Sequence, residues 1–130
     1  MRKKKILLVD DSNTILMMEK FILNNGPYEL LTASNGEEAV RRAAEDQPDL
    51  ILLDVIMPKM GGFEACRLIR GAEATRSIPI IMVTTRGEAA NVEAGWANGC
   101  TDYVTKPINS VELLAKVRNL LEDRLAEVAQ

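Results

Sequence analysis

Leu50-Ile51-Leu52-Leu53 is an apolar run with no polar position inside it. An amphipathic helix shows a polar face, and a half-buried strand alternates. An unbroken short run bounded by turn residues suits a strand covered on both faces. Ile6–Val9 and Ile80–Val83 repeat the pattern. Such strands need helices on either side, so the chain should alternate strand and helix. The spacing predicts strands over 6–9, 30–33, 50–53, 80–83 and 102–105. It predicts helices over 14–23, 36–45, 63–70 and 88–98, and a last helix capped by Asn109. On the first helix Ile15, Met18 and Ile22 are expected to share one face. Ser34-Asn35-Gly36-Glu37 resembles a helix-opening capping box, and Gly99 suits a helix end. The fold class expected is α/β, a doubly wound five-stranded parallel sheet.

With 130 residues and 47% hydrophobic content, the chain supports one domain with a real core. A net charge of −3 gives no electrostatic case for nucleic acid. The one basic run, Arg2-Lys3-Lys4-Lys5, is read as a solvated lead-in to the first strand. No stretch is apolar enough to span a membrane, and the N-terminus does not read as a signal peptide. Cys66 and Cys100 stand far apart, which argues against a disulfide framework or a zinc site and fits a reducing cytoplasm. Cys100 is read as a small core residue, and Met57 and Met60 as loop packing. There is no histidine, so imidazole catalysis and imidazole metal sites are excluded.

Polar residues suited to chemistry stand at the strand ends. Asp10 and Asp11 follow the first strand, Asp54 the third, Thr84 the fourth and Lys106 the fifth. In open parallel sheets, ligands sit beyond the carboxyl ends of strands where the strand order reverses. In the common order 2-1-3-4-5, strands one and three are neighbours, about 4.8 Å apart. The three carboxylates would then converge. Like charges so close disfavour each other's ionised form and call for cations. Lys106 supplies one. An all-oxygen donor set favours magnesium for the rest. A carboxylate beside a metal, a lysine and a hydroxyl is equipped to attack phosphorus.

VDDS at Val9–Ser12, LLDVIMPKMGG at Leu52–Gly62, VTT at Val83–Thr85 and GCTDYVTKP at Gly99–Pro107 resemble the receiver domain of bacterial two-component response regulators. The likeness runs from about Lys3 to Leu121. It implies a flavodoxin-like (βα)5 fold with Asp54 as acceptor of a phosphoryl group from the phosphohistidine of a histidine kinase or phosphotransfer protein. It implies Mg2+ as cofactor, held by Asp10, Asp11, Asp54 and the backbone carbonyl of Ile56, with Asp10 acting mainly through water. Lys106 would pair with the phosphoryl group. Thr84 would move to hydrogen-bond it, and Tyr103 would rotate inward in response. The Lys106-Pro107 bond is expected to be cis.

By the same resemblance the output is protein contact with a downstream target, through the face around Val92, Trp96, Tyr103 and the last helix. The small residues Ala90, Ala94 and Ala97, with Gly95 beside them, would let the fourth helix approach the sheet. No nucleic acid or membrane partner is expected, and the protein is expected to be cytoplasmic. Residues 1–122 would form the receiver, with 123–130 a C-terminal helical extension or tail. Leu114, Val117, Leu121, Leu125 and Val128 continue the helical spacing, either as a fraying end or as a longer pairing helix. Ile56 and Arg86 depart from the commonest pattern and would tune phosphoryl lifetime. The chain would be a phosphoacceptor, not an enzyme: Ile56 stands where an aspartyl-phosphate phosphatase carries a second acid. Two alternatives stay open, a phosphorylation-independent interaction module and the N-terminal receiver fragment of a longer regulator.

Overall fold

The computed structural model describes residues 3–85 and 89–129, with side chains at 89–91 and 123–129 left aside. The elements alternate as expected: β1 (Lys4–Val9), α1 (Asn13–Leu23), β2 (Tyr28–Ala33), α2 (Gly36–Asp46), β3 (Leu50–Asp54), α3 (Gly62–Gly71), β4 (Ile80–Thr85), α4 (Ala89–Ala97), β5 (Asp102–Lys106) and α5 (Ser110–Ala129). The sheet is parallel, in the order β2-β1-β3-β4-β5. This is the flavodoxin-like (βα)5 arrangement, with β1 and β3 adjacent at the reversal of strand order.

The strands bury both faces. Leu7, Val9, Ile51, Leu53, Ile80 and Met82 point into one layer with Ala39 and Ala43 of α2 and Ala65, Cys66 and Ile69 of α3. Ile6, Leu8, Leu50, Leu52, Ile81 and Val83 point into the other, with Leu16 and Leu23 of α1 and Leu113, Val117 and Leu121 of α5. All five residues of β3 are buried, as a central two-sided strand requires. Cys100 and Met57 lie in the first layer as expected.

Local chemistry sets the helix starts. Ser12 Oγ accepts from the Ile15 amide, Asn35 Oδ1 from the Glu38 amide and Asn109 Oδ1 from the Glu112 amide. Gly99 has φ +98, a left-handed conformation that favours glycine after a helix.

Three expectations need correction. The buried face of α1 is Leu16, Glu19 and Leu23, and the face expected from Ile15, Met18 and Ile22 is not the buried one: Met18 is 40% exposed, and Ile15 and Ile22 are half-buried, Ile22 packing against the core edge. Apolar residues occupy both sides of this helix, so periodicity alone left its phase open. Among the described side-chain positions of α4 the buried one is Gly95, where an added Cβ would come within 3.2 Å of Cys100 Sγ, whereas Ala97 is exposed and Ala94 half-buried. Ala90 lies outside the described side chains. Finally, Lys4 and Lys5 belong to β1 rather than to a solvated lead-in, and Lys5 Nζ donates to the Asp46 carbonyl at 3.1 Å.

Candidate functional site

The register of β1 on β3 sets Val9 opposite Leu53, so the next residues along each strand are Asp10 and Asp54. On β4, Val83 pairs with Asp54, and on the far side Thr85 of β4 pairs with Lys106. The strand register therefore brings the sequence-predicted groups to one end of the sheet. Carboxylate oxygens of Asp10, Asp11 and Asp54 all lie within 4.8 Å of one another. Asp10 and Asp54 are buried, while Asp11 is exposed at the mouth.

Lys106 Nζ lies 3.3 Å from Asp10 Oδ2 and 3.1 Å from Asp54 Oδ1, bridging the two buried acids. Asp10 Oδ1 also accepts from the Ser12 amide at 2.9 Å, and Asp54 Oδ1 from the Val55 amide at 3.0 Å. Burial raises the Asp54 pKa, with Asp10 adding to the rise and Lys106 and the Val55 amide opposing it. For Lys106, burial alone would lower the pKa, but the Asp54 and Asp10 carboxylates outweigh it and the ammonium is held above its usual range. The Lys106-Pro107 peptide bond is cis.

Thr84 is buried near the end of β4, and its Oγ1 has no hydrogen-bond partner. An unpaired buried hydroxyl is disfavoured by about 1–3 kcal/mol. The loop after β3 is braced from two sides: the Gly36 amide of α2 donates to the Met60 carbonyl, and the Gly62 amide to the Val55 carbonyl. Gly62 must be glycine here, because a Cβ would fall 2.1 Å from the Asp54 carbonyl oxygen. The Ile56 side chain is 68% exposed in this loop.

The donor set fits a hard divalent cation. Three converging carboxylates, two buried and one exposed, with only oxygen donors, match the preference of Mg2+ for carboxylates plus water. Of the surface expected for output, Tyr103 and Trp96 meet edge to face with ring centroids 6.2 Å apart. Lys116 Nζ of α5 stands 5.0 Å from the Tyr103 ring centroid. Val92 is half-buried on α4. Arg86 lies outside the described residues.

One residue near the site escaped sequence reasoning. Glu19 on α1 is 1% exposed, and Asp10, Lys106 and Asp54 all act on its carboxyl. A signal was present: Leu16, Glu19 and Leu23 are spaced three and four apart, the helical interval of a single face.

The profile described as "Response regulator receiver domain" matches residues 6–118. The chain belongs to the response regulator receiver family. The chain is 40% identical over 126 residues to the alkaline phosphatase synthesis transcriptional regulatory protein PhoP of Bacillus subtilis, covering 97% of this chain and 51% of that one. The response regulator PleD of Caulobacter vibrioides is 40% identical over 121 residues, 93% of this chain and 27% of PleD. The chain thus spans about half or less of these relatives. Among solved structures, the chemotaxis protein CheY4 of Vibrio cholerae superposes with TM-score 0.84 at 36% identity, covering 92% of this chain and 99% of that one. The receiver domain of the sensor histidine kinase PA1611 from Pseudomonas aeruginosa, with a magnesium ion in its active-site cleft, superposes with TM-score 0.86 at 30% identity, covering 92% and 98%. As a receiver the chain carries the acidic cluster of a phosphorylation-based switch. No described helix is long and apolar enough to cross a membrane.

Proposed function

We propose that Asp54 is the phosphoacceptor and that a histidine kinase or phosphotransfer protein supplies the phosphoryl group from phosphohistidine. An Asp54 carboxylate oxygen forms the new bond to phosphorus as the bond to the histidine nitrogen breaks. The observation that carries this reading is Lys106 bridging Asp10 and Asp54, with the unpartnered Thr84 hydroxyl on β4, the strand between β3 and β5. Asp10, Asp11, Asp54 and the Ile56 carbonyl hold Mg2+, as the cation in the PA1611 receiver suggests. That ion supplies neutralisation of the crowded carboxylates and the phosphoryl oxygens. Lys106 turns from Asp54 toward the phosphoryl group, and the Thr84 hydroxyl donates to it.

Tyr103 carries the change outward to Val92, Trp96 and α5, where a downstream protein binds. Its ring stands between Trp96 of α4 and Lys116 of α5, so a shift of Tyr103 alters the surface of both helices. Residues 1–122 form the receiver unit, with 123–130 as a helical extension, and the protein works in the cytoplasm, as the thiol-only cysteines favour. The test is intact mass after incubation with Mg2+ and acetyl phosphate. One phosphoryl group is expected on the native chain, and none on Asp54→Asn or without magnesium. Labelling of the Asn variant to the same extent would remove Asp54 from its role.

A further inference from the structure

Arg70, in the last turn of α3, is half-buried, and its guanidinium is spread over oxygens of other segments. Nε donates to the Gly99 carbonyl at 2.7 Å, and Nη2 to Thr101 Oγ1 at 3.2 Å. Nη1 donates to the Arg76 carbonyl at 3.1 Å and to the Ile78 carbonyl. These acceptors belong to two connections, 76–78 before β4 and 99–101 before β5. Thr101 Oγ1 also accepts from the Ile80 amide at 3.0 Å, which ties the second connection to the start of β4. One turn earlier on α3, Cys66 Sγ donates to the Asn98 carbonyl at 3.2 Å.

The segment so held is the C-terminal end of α4. There the Gly99 amide donates to the Trp96 carbonyl and the Cys100 amide to the Gly95 carbonyl, the pairing of a Schellman motif. That closure uses the amides and leaves the Gly99 carbonyl for Arg70. A Cβ at Gly99 would fall 2.8 Å from Arg70 Cγ, so the arginine stem lies directly over the turn. The other end of α3 meets the phosphorylation site. Gly62 lies against the Asp54 carbonyl oxygen, and its amide donates to the Val55 carbonyl at 2.8 Å. Ten residues of helix, about 15 Å, connect the two ends. Ala65, Cys66 and Ile69 bury its inner face in a close-packed layer, so the helix shifts as a unit.

We propose that Arg70 is a positioning residue of the output face, coupling the phosphoryl state of Asp54 to α4 through α3, beside the route through Thr84 and Tyr103. The inference rests on the reading that Asp54 is the phosphoacceptor and that Trp96 lies on the output face. A displacement of the backbone after Asp54 moves Gly62, and α3 transmits it. The planar guanidinium fork then passes it to Gly99 and Thr101, at the turn that ends the helix bearing Trp96.

Trp96 is the only tryptophan in the sequence, so tryptophan fluorescence reports on α4 alone. The test is acrylamide quenching of Trp96 before and after saturation with Mg2+ and beryllofluoride, an acyl-phosphate mimic, in the native chain and in Arg70→Met. Fluorine NMR of the bound mimic measures loading independently of Trp96, and thermal melting shows that both proteins are folded. Arg70→Lys, which keeps the charge but not the fork, serves the same comparison should Arg70→Met not fold. The native quenching constant is expected to change on loading, and the equally loaded variant to lose at least about half of that change. A full native response in the loaded variant would overturn the inference and leave Arg70 a structural tie. A loaded native chain whose Trp96 does not respond would overturn it too. If beryllofluoride binds neither protein, the phosphoacceptor reading itself fails and this inference falls with it.

Discussion

Thr84 and Glu19 share a property: each has a buried oxygen with no partner. They differ in what surrounds them. Thr84 stands near the end of β4, the strand between Asp54 and Lys106, which suits the phosphoryl contact proposed for it. Glu19 stands within an apolar layer, so its cost appears as a shifted titration. The folded chain raises its pKa from 4.5 to about 8, while the unfolded chain leaves it at the ordinary value. Between those values the native state holds a proton that the unfolded state has lost, so stability falls as pH rises through the interval. A tenfold change in proton affinity is worth about 1.4 kcal/mol, so the effect amounts to a few kcal/mol. Urea unfolding at pH 5 and pH 8 should show the native chain losing this stability relative to Glu19→Gln. Asp54 is raised too, but it is common to both proteins and cancels. Parallel loss in the two proteins would assign the slope to other groups.

Among the elements, α1 is where sequence pattern and packing part company. Its residues 15–18 and 21–23 are apolar nearly all round, so their spacing cannot choose the buried side. The sheet chooses Leu16 and Leu23 and leaves Phe21 80% and Met17 70% exposed. Leu16→Ala should therefore destabilise the fold by about 2–5 kcal/mol, and Phe21→Ser by no more than about 0.5 kcal/mol. Denaturant midpoints at constant m-value separate the two cases, and a large loss for Phe21→Ser would reverse the assigned faces. On the opposite edge, α4 offers one close approach: Gly95 lies against Cys100, with Met82 beyond. That packing turns Trp96 outward onto Tyr103.

For the whole molecule, the site exists because β1, β3, β4 and β5 end together. Lys106 is separated from Asp10 by 96 positions, yet its ammonium holds two acids on neighbouring strands. Core contact from α5 runs through Leu113, Val117 and Leu121. A chain ending at Glu122 retains every one of these residues and all five strands. It should melt within about 2 °C of the full chain, since the described core residues of α5 end at Leu121. It should also label on Asp54 to the same extent. A fall of about ten degrees or more would mean that 123–130 belong to the receiver unit.

Much of this was legible in the residues alone. The unbroken runs at 6–9, 50–53 and 80–83 determined a two-sided parallel sheet, because only helices on both faces can cover such strands. The convergence of Asp10, Asp11, Asp54 and Lys106 was legible because each follows or ends a buried strand of one parallel sheet. Strand bounds were off by a residue or two: Asp54, Thr84 and Lys106 lie within their strands rather than after them. Only the tertiary structure decided which side of α1 is buried, which small residue of α4 meets the sheet, and that Glu19 shares the site's electrostatics. Those outcomes depend on what packs opposite each face. Spacing along a helix records that a face exists, and the neighbouring layer determines which one it is.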